Sequence, residues 1–147
     1  MKSTRSQSGN VAFDLLDSSA AGCAIISADE IVVWMNKALQ EFLGVDRQEF
    51  VATGIWDVLD SLGSERVADI DKLKSTMRSA FVEGKSIDAY EIHILGGDNR
   101  KERWLEYWSQ PITFGEYAGE RMEQFYDITS RVRLEMRLEK SRKLVTE

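Results

Sequence analysis

The spacing of apolar residues changes in the second half of the chain, and this change constrains the fold more than any other feature. Between residues 65 and 83, apolar side chains recur at steps of three and four residues, which predicts an amphipathic helix ended by Gly84. These side chains are Val67, Ile70, Leu73, Met77, Ala80 and Phe81. From Ser86 onward apolar and polar residues alternate, which predicts a strand with Tyr90 and Ile92 on one face.

A second strand-forming region precedes this helix. Residues 22–26 and 31–35 are apolar runs separated by a polar turn, a pattern that predicts a β-hairpin. Asn36 then stands where the N-cap of a short helix is expected, and Gly44 is suited to end that helix. Asp46 is suited to cap the next helical turn. The middle of the chain is therefore predicted to hold three or four helices.

Two more strands are predicted near the C-terminus. Residues 102–112 carry Trp104 and Trp108 on one face, and residues 121–128 follow a loop that contains glycine. From Thr129 the chain is rich in Arg, Glu and Lys, which predicts an exposed helix. Strands on both sides of a helical middle indicate one antiparallel sheet. We therefore predict an α+β fold with helices packed on one face of a five-stranded sheet.

The scarcity of reactive side chains narrows the chemistry. The 147 residues include one cysteine, Cys23, and one histidine, His93. This excludes an internal disulfide, and it excludes a structural zinc site of about four Cys and His ligands. The net charge of −6 disfavours a broad nucleic-acid-binding surface, which would be basic. The composition thus favours neither an enzyme nor a DNA-binding protein.

The N-terminus and the apolar runs bear on the cellular compartment. Residues 1–9 are small and polar with no apolar segment after them, so we expect a disordered end rather than a signal peptide. The apolar runs are far shorter than the roughly 18 residues that a membrane span needs. We therefore expect a cytoplasmic chain, and the sequence leaves open whether a parent protein is anchored in a membrane.

Six short motifs resemble those of the PAS family in their order and spacing. They are Gly22-Cys23-Ala24-Ile25-Ile26, Ile31-Val32-Val33-Trp34-Met35-Asn36-Lys37-Ala38, Phe42-Leu43-Gly44, Gly96-Gly97-Asp98-Asn99, Pro111-Ile112 and Asp127-Ile128-Thr129-Ser130-Arg131. The resemblance extends from about residue 10 to residue 143. It implies a PAS domain over residues 10–129, followed by a C-terminal signalling helix over residues 130–147.

The resemblance implies a sensory input domain of a prokaryotic signalling protein, such as a sensor histidine kinase, rather than an enzyme. PAS domains commonly form homodimers and pass a conformational change through the outgoing helix to an output domain of the same chain. The candidate coupling residues are Asp127, Thr129 and Arg131. Asp127 is expected to pair with a basic residue and, with Thr129, to cap the start of the helix.

Relatives hold flavin or small metabolites between the long helix and the sheet. The candidate pocket residues here are Trp56, Met77, Phe81, Tyr90, Ile92, Trp104 and Tyr107. The same side chains would also serve to fill a core without a ligand, because apolar residues at the period of an element usually pack. We therefore expect no cofactor, with a non-covalent flavin or a small metabolite as the alternative.

Cys23 and His93 do not fit the covalent and haem-binding members of the family. The light-oxygen-voltage class carries its flavin-reactive cysteine in an Asn-Cys-Arg motif, which this sequence lacks, so Cys23 is predicted to be a small core residue. The haem ligand usually projects from the long helix, which contains no histidine. Haem is therefore disfavoured, and His93 is predicted to be a partly exposed strand residue.

Three functions remain open at this point. The first is an input domain that senses a ligand or a redox cue, and the second is a ligand-free PAS module for dimerisation or partner docking. The third is a small hydrolase or isomerase, which would need His93 or acids such as Glu91 and Glu106 to converge in a cleft. In the tail, Leu134, Leu138 and Val145 fit heptad positions with Ser141 between them, so a coiled coil and a solvated helix are both compatible with the sequence.

Overall fold

The computed structural model describes residues 13–98 and 100–146. A helical segment at residues 13–17 comes first, and the predicted disordered segment at residues 1–9 lies outside the described residues. The elements that follow are β1 (Gly22–Ile26), β2 (Val32–Met35), α1 (Lys37–Leu43), α2 (Arg47–Phe50), α3 (Ile55–Arg66), α4 (Ile70–Glu83), β3 (Ile87–Ile94), β4 (Arg103–Pro111), β5 (Arg121–Asp127) and α5 (Thr129–Thr146).

The five strands form one antiparallel sheet in the order β2-β1-β5-β4-β3. β5 lies at its centre, where Glu123 pairs with Ala24 of β1 and with Ser109 of β4. β3 and β4 pair from Ile87 opposite Ser109 to Ile94 opposite Arg103, with an irregularity between Ile87 and Tyr90. The predicted α+β fold with a five-stranded antiparallel sheet is confirmed.

The hydrophobic core lies between one face of this sheet and helices α1 to α4. The strands contribute alternate residues to it, including Ile92, Leu105 and Tyr107, and the helices contribute residues such as Leu59 and Met77. Leu105 is fully buried. Burial of one such side chain stabilises the fold by roughly 1.5–3 kcal/mol, so this face is the main source of stability.

Asn36 connects the first helix to the sheet and to the N-terminal segment. Its Oδ1 accepts hydrogen bonds from the backbone N–H of Leu39, at 3.1 Å, and of Cys23, at 2.9 Å. Its Nδ2 donates to the carbonyl oxygens of Leu16 and Ala21, each at 2.9 Å. The predicted N-cap is confirmed, and the same buried side chain also fixes the entry into β1.

The single helix predicted over residues 65–83 is interrupted in the structure. α3 ends at Arg66, and Val67 then forms a bridge with Ile94 at the end of β3. Asp69 adopts the left-handed conformation with φ of 53°, and α4 begins at Ile70. The prediction was wrong at its first turn because pairing with a distant strand overrides the local helical spacing.

The other face of the sheet is partly covered by the two ends of the described chain. α5 places the buried Val132 near this face, and Arg133 lies 6.0 Å from the ring centre of Trp104. At the opposite side, the ring of Phe13 stacks on Trp34 of β2 with a centroid distance of 4.5 Å. No described helix is long and apolar enough to span a bilayer.

Candidate functional site

A cavity of about 70 Å³ lies inside the core, between the sheet and helices α1, α3 and α4. Its lining is almost entirely aliphatic. The helices contribute Leu39, Leu43, Ile55, Val58, Leu59, Leu62, Leu73 and Met77, and the strands contribute Ala24, Ile26, Val32, Met35, Ile92, Ile94, Leu105, Tyr107, Glu123 and Phe125, with Val67 between α3 and α4. The volume equals roughly that of two water molecules in the liquid.

Glu123 is the acidic group among these lining residues. It lies on β5 with a relative exposure of 2%, and its Oε1 accepts a hydrogen bond from the hydroxyl of Tyr107 on β4. The second carboxyl oxygen, Oε2, has no hydrogen-bond partner among the described residues. A buried polar atom without a partner is costly, so this oxygen needs a physical explanation.

The surroundings of Glu123 favour its charge, although burial opposes it. Burial raises the pKa of Glu123 to about 7, and the hydroxyls of Ser109 and Tyr107 and the charge of Arg121 limit the rise. Arg121 is itself buried, and its guanidinium donates to Oγ of Ser109 at 3.1–3.2 Å and to the carbonyl oxygen of Lys85 at 2.5 Å. Burial and the Glu123 carboxylate raise the pKa of Tyr107 well above its usual range.

The structure separates the seven predicted pocket residues into groups. Met77, Ile92 and Tyr107 line the cavity. Trp56 and Phe81 do not line it. They contact each other at a centroid distance of 5.8 Å, beneath Arg78 and Arg121 respectively, and both pack against the outside of the core.

Tyr90 and Trp104 also lie outside the cavity. Tyr90 borders a separate surface groove between α4 and β3. Trp104 points to the opposite face of the sheet, where its ring stacks on His93 at 4.2 Å. A single aromatic pocket is therefore not formed. Trp104 is excluded because alternate residues of a strand face opposite sides of the sheet. Tyr90 pairs with the cavity residue Tyr107, but it lies on the edge strand β3 and borders the groove instead.

Cys23 and His93 both lie away from the cavity lining. Cys23 is buried, as predicted, and burial raises the pKa of its thiol. His93 is partly exposed, as predicted, and its Nε2 lies 2.8 Å from Oε2 of Glu102. Neither side chain is positioned to bond to a group inside the cavity. The described residues contain no cluster of three or more Cys, His, Asp or Glu that would hold a metal ion.

The junction of β5 and α5 joins three elements through hydrogen bonds. Asp127 Oδ1 accepts from the backbone N–H and the hydroxyl of Thr129, at 2.9 and 2.5 Å, and Oδ2 accepts from Arg103 at 2.8 Å. Thr129 Oγ1 in turn accepts from the backbone N–H of Trp104 at 3.0 Å. Burial acts to raise the pKa of Asp127, but the bonds from Thr129 and Arg103 outweigh it and lower the pKa.

Arg131, the third predicted coupling residue, lies on the exposed side of α5. Its Nη2 is 3.5 Å from Oε2 of Glu106, a residue on the same face of β4 as Trp104. Glu106 also accepts a hydrogen bond from Nε1 of Trp108 at 2.8 Å. Glu91, Glu106 and His93 thus share one face of the sheet. Glu106 is engaged with Arg131 and Trp108, and His93 is engaged with Glu102, so the three side chains do not form one catalytic cluster.

Sequence reasoning missed three residues of this arrangement, namely Glu123, Arg121 and Arg103. Arg121, Glu123 and Phe125 alternate along β5, so the sequence does contain a signal that they share one face. Charged residues would ordinarily be assigned to the solvent side of such a strand. The structure assigns Arg121 and Glu123 to the core side, where Ser109 and Tyr107 of the neighbouring strand are their partners.

The fold can be compared with known proteins. The model of the PAS fold family matches residues 16–133, so the chain belongs to the PAS family. No curated protein sequence matches it.

Three solved structures illustrate the likeness. An RNA-binding light-oxygen-voltage receptor has a TM-score of 0.65 at 17% identity, over 94% of this chain and 37% of that receptor. The PAS domain of an HTR-like protein from Haloarcula marismortui has a TM-score of 0.57 at 16% identity, over 86% of this chain and 97% of that domain. A domain of a sensory box sensor histidine kinase/response regulator from Geobacter sulfurreducens has a TM-score of 0.57 at 16% identity, over 82% of this chain and 94% of that domain.

Proposed function

We propose that this chain is a non-catalytic sensory input domain, in which occupancy of the core cavity changes the position of α5 and thereby an output domain of the same parent protein. One observation carries the proposal: β4 contacts both the core cavity and the start of α5. Leu105 and Tyr107 line the cavity on one face, and Trp104 and Glu106 contact the start of α5 on the other. A shift of β4 therefore affects both faces at once.

The junction gives this shift a defined route. Arg103 and Trp104 are neighbours of the cavity residue Leu105, and they hold Asp127 and Thr129 through hydrogen bonds. Ile128 also donates its backbone N–H to the carbonyl oxygen of Trp104 at 2.9 Å. A strand linked by three such bonds to the first residues of a helix moves that helix with it.

A cavity-filling variant tests the proposal. Val58→Leu adds one methylene from α3 into the cavity, far from α5, and is expected to change amide hydrogen exchange at residues 129–132. Val82→Leu is the matched control, since Val82 is 86% exposed on α4. Unchanged exchange at residues 129–132 in Val58→Leu would contradict the route through β4.

The size of the cavity bears on the cofactor. Pockets for drug-sized ligands occupy about 300–1,000 Å³, whereas this cavity measures about 70 Å³. The residues present do not fit a flavin without a large rearrangement of α3 and α4, and Cys23 is not in reach of the cavity. A molecule of a few heavy atoms fits better. The proposal includes a cytoplasmic location and a prokaryotic signalling protein as the parent of this domain.

A second candidate is a dimerisation module that binds no small molecule. The observation that favours it is the row of apolar side chains on α5, where Leu134 and Leu138 are 50% and 54% exposed and Val145 is 86% exposed. Their spacing fits core positions of a coiled coil, with Ser141 at the core position between Leu138 and Val145. Light scattering tests this second candidate: a homodimer that Leu134→Glu and Leu138→Glu together convert to monomer supports pairing through α5, and a monomeric wild-type chain argues against it.

A further inference from the structure

We infer that the cavity binds a small uncharged molecule that is mostly aliphatic and carries one hydroxyl or N–H donor, which bonds to Oε2 of Glu123. This inference rests on the proposed sensory role and specifies the ligand class for it. The observation behind it is that Glu123 is one of the residues lining an otherwise almost entirely apolar cavity, and that its Oε2 is buried and has no hydrogen-bond partner among the described residues. A hydroxyl donor there would satisfy that oxygen.

The partners of Glu123 decide between a ligand that donates and one that accepts. Tyr107 donates to Oε1, and the nearby Ser109 hydroxyl and Arg121 guanidinium also favour the ionised carboxyl. Hydrogen bonds to ionised groups are roughly twice as strong as those between neutral groups. Above about pH 7 the carboxylate form predominates, and it accepts at both oxygens. A donor therefore gains more from Oε2 than an acceptor does.

The lining of the cavity excludes a charged ligand. Every helix residue that faces it is aliphatic or Met, so a cation would lose its hydration with a single carboxylate as compensation. The volume limits the ligand to a few heavy atoms. Met35 and Met77 lie in the wall and have flexible side chains, so the cavity can adapt to a ligand of slightly larger size.

A pair of isomers tests the donor requirement. Ethanol and dimethyl ether contain the same atoms and have only three heavy atoms each, but only the alcohol has a hydrogen to donate. The ¹³C-methyl NMR signals of Met35 and Met77 report on the cavity, and that of Met122, on the opposite face of the sheet, is an internal control. At pH 8, where the Glu123 carboxyl is ionised, we expect saturable shifts of Met35 and Met77 with ethanol, at an affinity at least tenfold higher than with dimethyl ether.

Glu123→Gln provides the second arm of the test. The glutamine carbonyl can keep the hydrogen bond from Tyr107, which leaves its NH₂ group toward the cavity as a donor. The preference for the alcohol is then expected to fall below twofold or to invert, while Glu116→Gln, at an exposed loop position, keeps it. The wild-type comparison stands by itself if Glu123→Gln fails to fold.

The outcomes separate this inference from the proposed function. Equal affinity for both isomers, or no saturable shift of Met35 and Met77 with either, overturns the ligand class. Equal binding of both isomers together with a change in amide exchange at residues 129–132 would retain the sensory role and reject the donor requirement. Binding selective for the alcohol without any change at residues 129–132 would retain the ligand class and reject the sensory role.

Discussion

Nη1 of Arg103 lies 2.8 Å from Oδ2 of Asp127, so a side chain at the start of β4 holds the last residue of β5, immediately before α5 begins. The other oxygen of Asp127 caps the helix through Thr129. One carboxylate thus joins the sheet to the outgoing helix. Such an arrangement is expected to affect both the stability of the helix start and the transmission of movement into it.

Asp127→Asn tests the joint. The amide loses the ion pair with Arg103 and weakens the helix cap, so we expect a loss of about 1 kcal/mol in the free energy of unfolding. Amide exchange at residues 129–132 should increase, because those N–H groups lose their fixed geometry. Urea denaturation and hydrogen exchange measure the two effects.

A matched acid-to-amide change controls for charge alone. Glu116→Gln alters an exposed loop residue and should leave both measurements unchanged. In a full-length parent, Asp127→Asn should also change the basal output. Normal exchange at residues 129–132 in Asp127→Asn would show that Asp127 does not hold the helix start.

The burial of Glu123 predicts an unusual dependence of stability on pH. Its pKa is about 7 in the folded chain and near its ordinary value of 4.5 when unfolded, because burial disfavours the charge. Between these values the unfolded chain releases a proton that the folded chain keeps. Stability should therefore fall as pH rises from about 4.5 to 7, by about 3 kcal/mol in total, and then level off.

The polar groups around Glu123 are Tyr107 and Ser109 from β4 and Arg121 from β5, while the helices present only apolar side chains to the cavity. Asp17 and Asp127 have lowered pKa values, so the stability that their charged forms contribute is lost as pH falls below about 4, outside the range in which Glu123 titrates. Urea denaturation from pH 5 to 8 measures the slope of the free energy of unfolding against pH. Glu123→Gln should remove most of it, and an equal slope in this variant would assign the effect to another group.

Asn36 and Asp46 both cap helices, but we expect very different costs on their removal. Asn36→Ala removes the hydrogen bonds that its side chain makes to four backbone groups, including the buried N–H of Cys23, and should cost about 3 kcal/mol or more. The carbonyl oxygen of Leu16 keeps its bond from the N–H of Ser19. Asp46 caps α2 through one bond to Gln48, so Asp46→Ala should cost about 1 kcal/mol. Comparable losses in urea denaturation would mean that the tertiary bonds of Asn36 add nothing.

Gly44 and Gly84 form a second matched pair. Each ends a helix with φ of 66°, so alanine at either position incurs the left-handed backbone penalty of about 1 kcal/mol. A Cβ at Gly44 would also meet Cβ of Arg100 at 2.9 Å, whereas one at Gly84 meets nothing within 4 Å. We expect Gly44→Ala to lose about 1 kcal/mol more than Gly84→Ala. Thermal or urea denaturation measures the difference.

The local features of the fold could be read from the sequence because they depend on neighbouring residues. The Asn36 cap and the Gly44 helix end follow from side-chain and backbone chemistry within one turn. The alternation through β3 and β4 likewise predicted which residues share a face, and Trp104 and Trp108 do so. The interruption of the predicted helix at Val67 was not predictable in this way, because it depends on a bridge with Ile94, 27 positions along the chain.

The candidate site also combines features that the sequence predicted with features that depend on contacts between distant residues. The sequence by itself determined an α+β sheet with covering helices, the buried Cys23 and the acid–hydroxyl pair that begins α5. Only the tertiary structure decided that Trp56, Phe81, Tyr90 and Trp104 lie outside the cavity and that Glu123 lies within its wall. The reason is that a strand's periodicity states which residues share a face, while the packing of helices and the strand register determine which face is buried and what meets there.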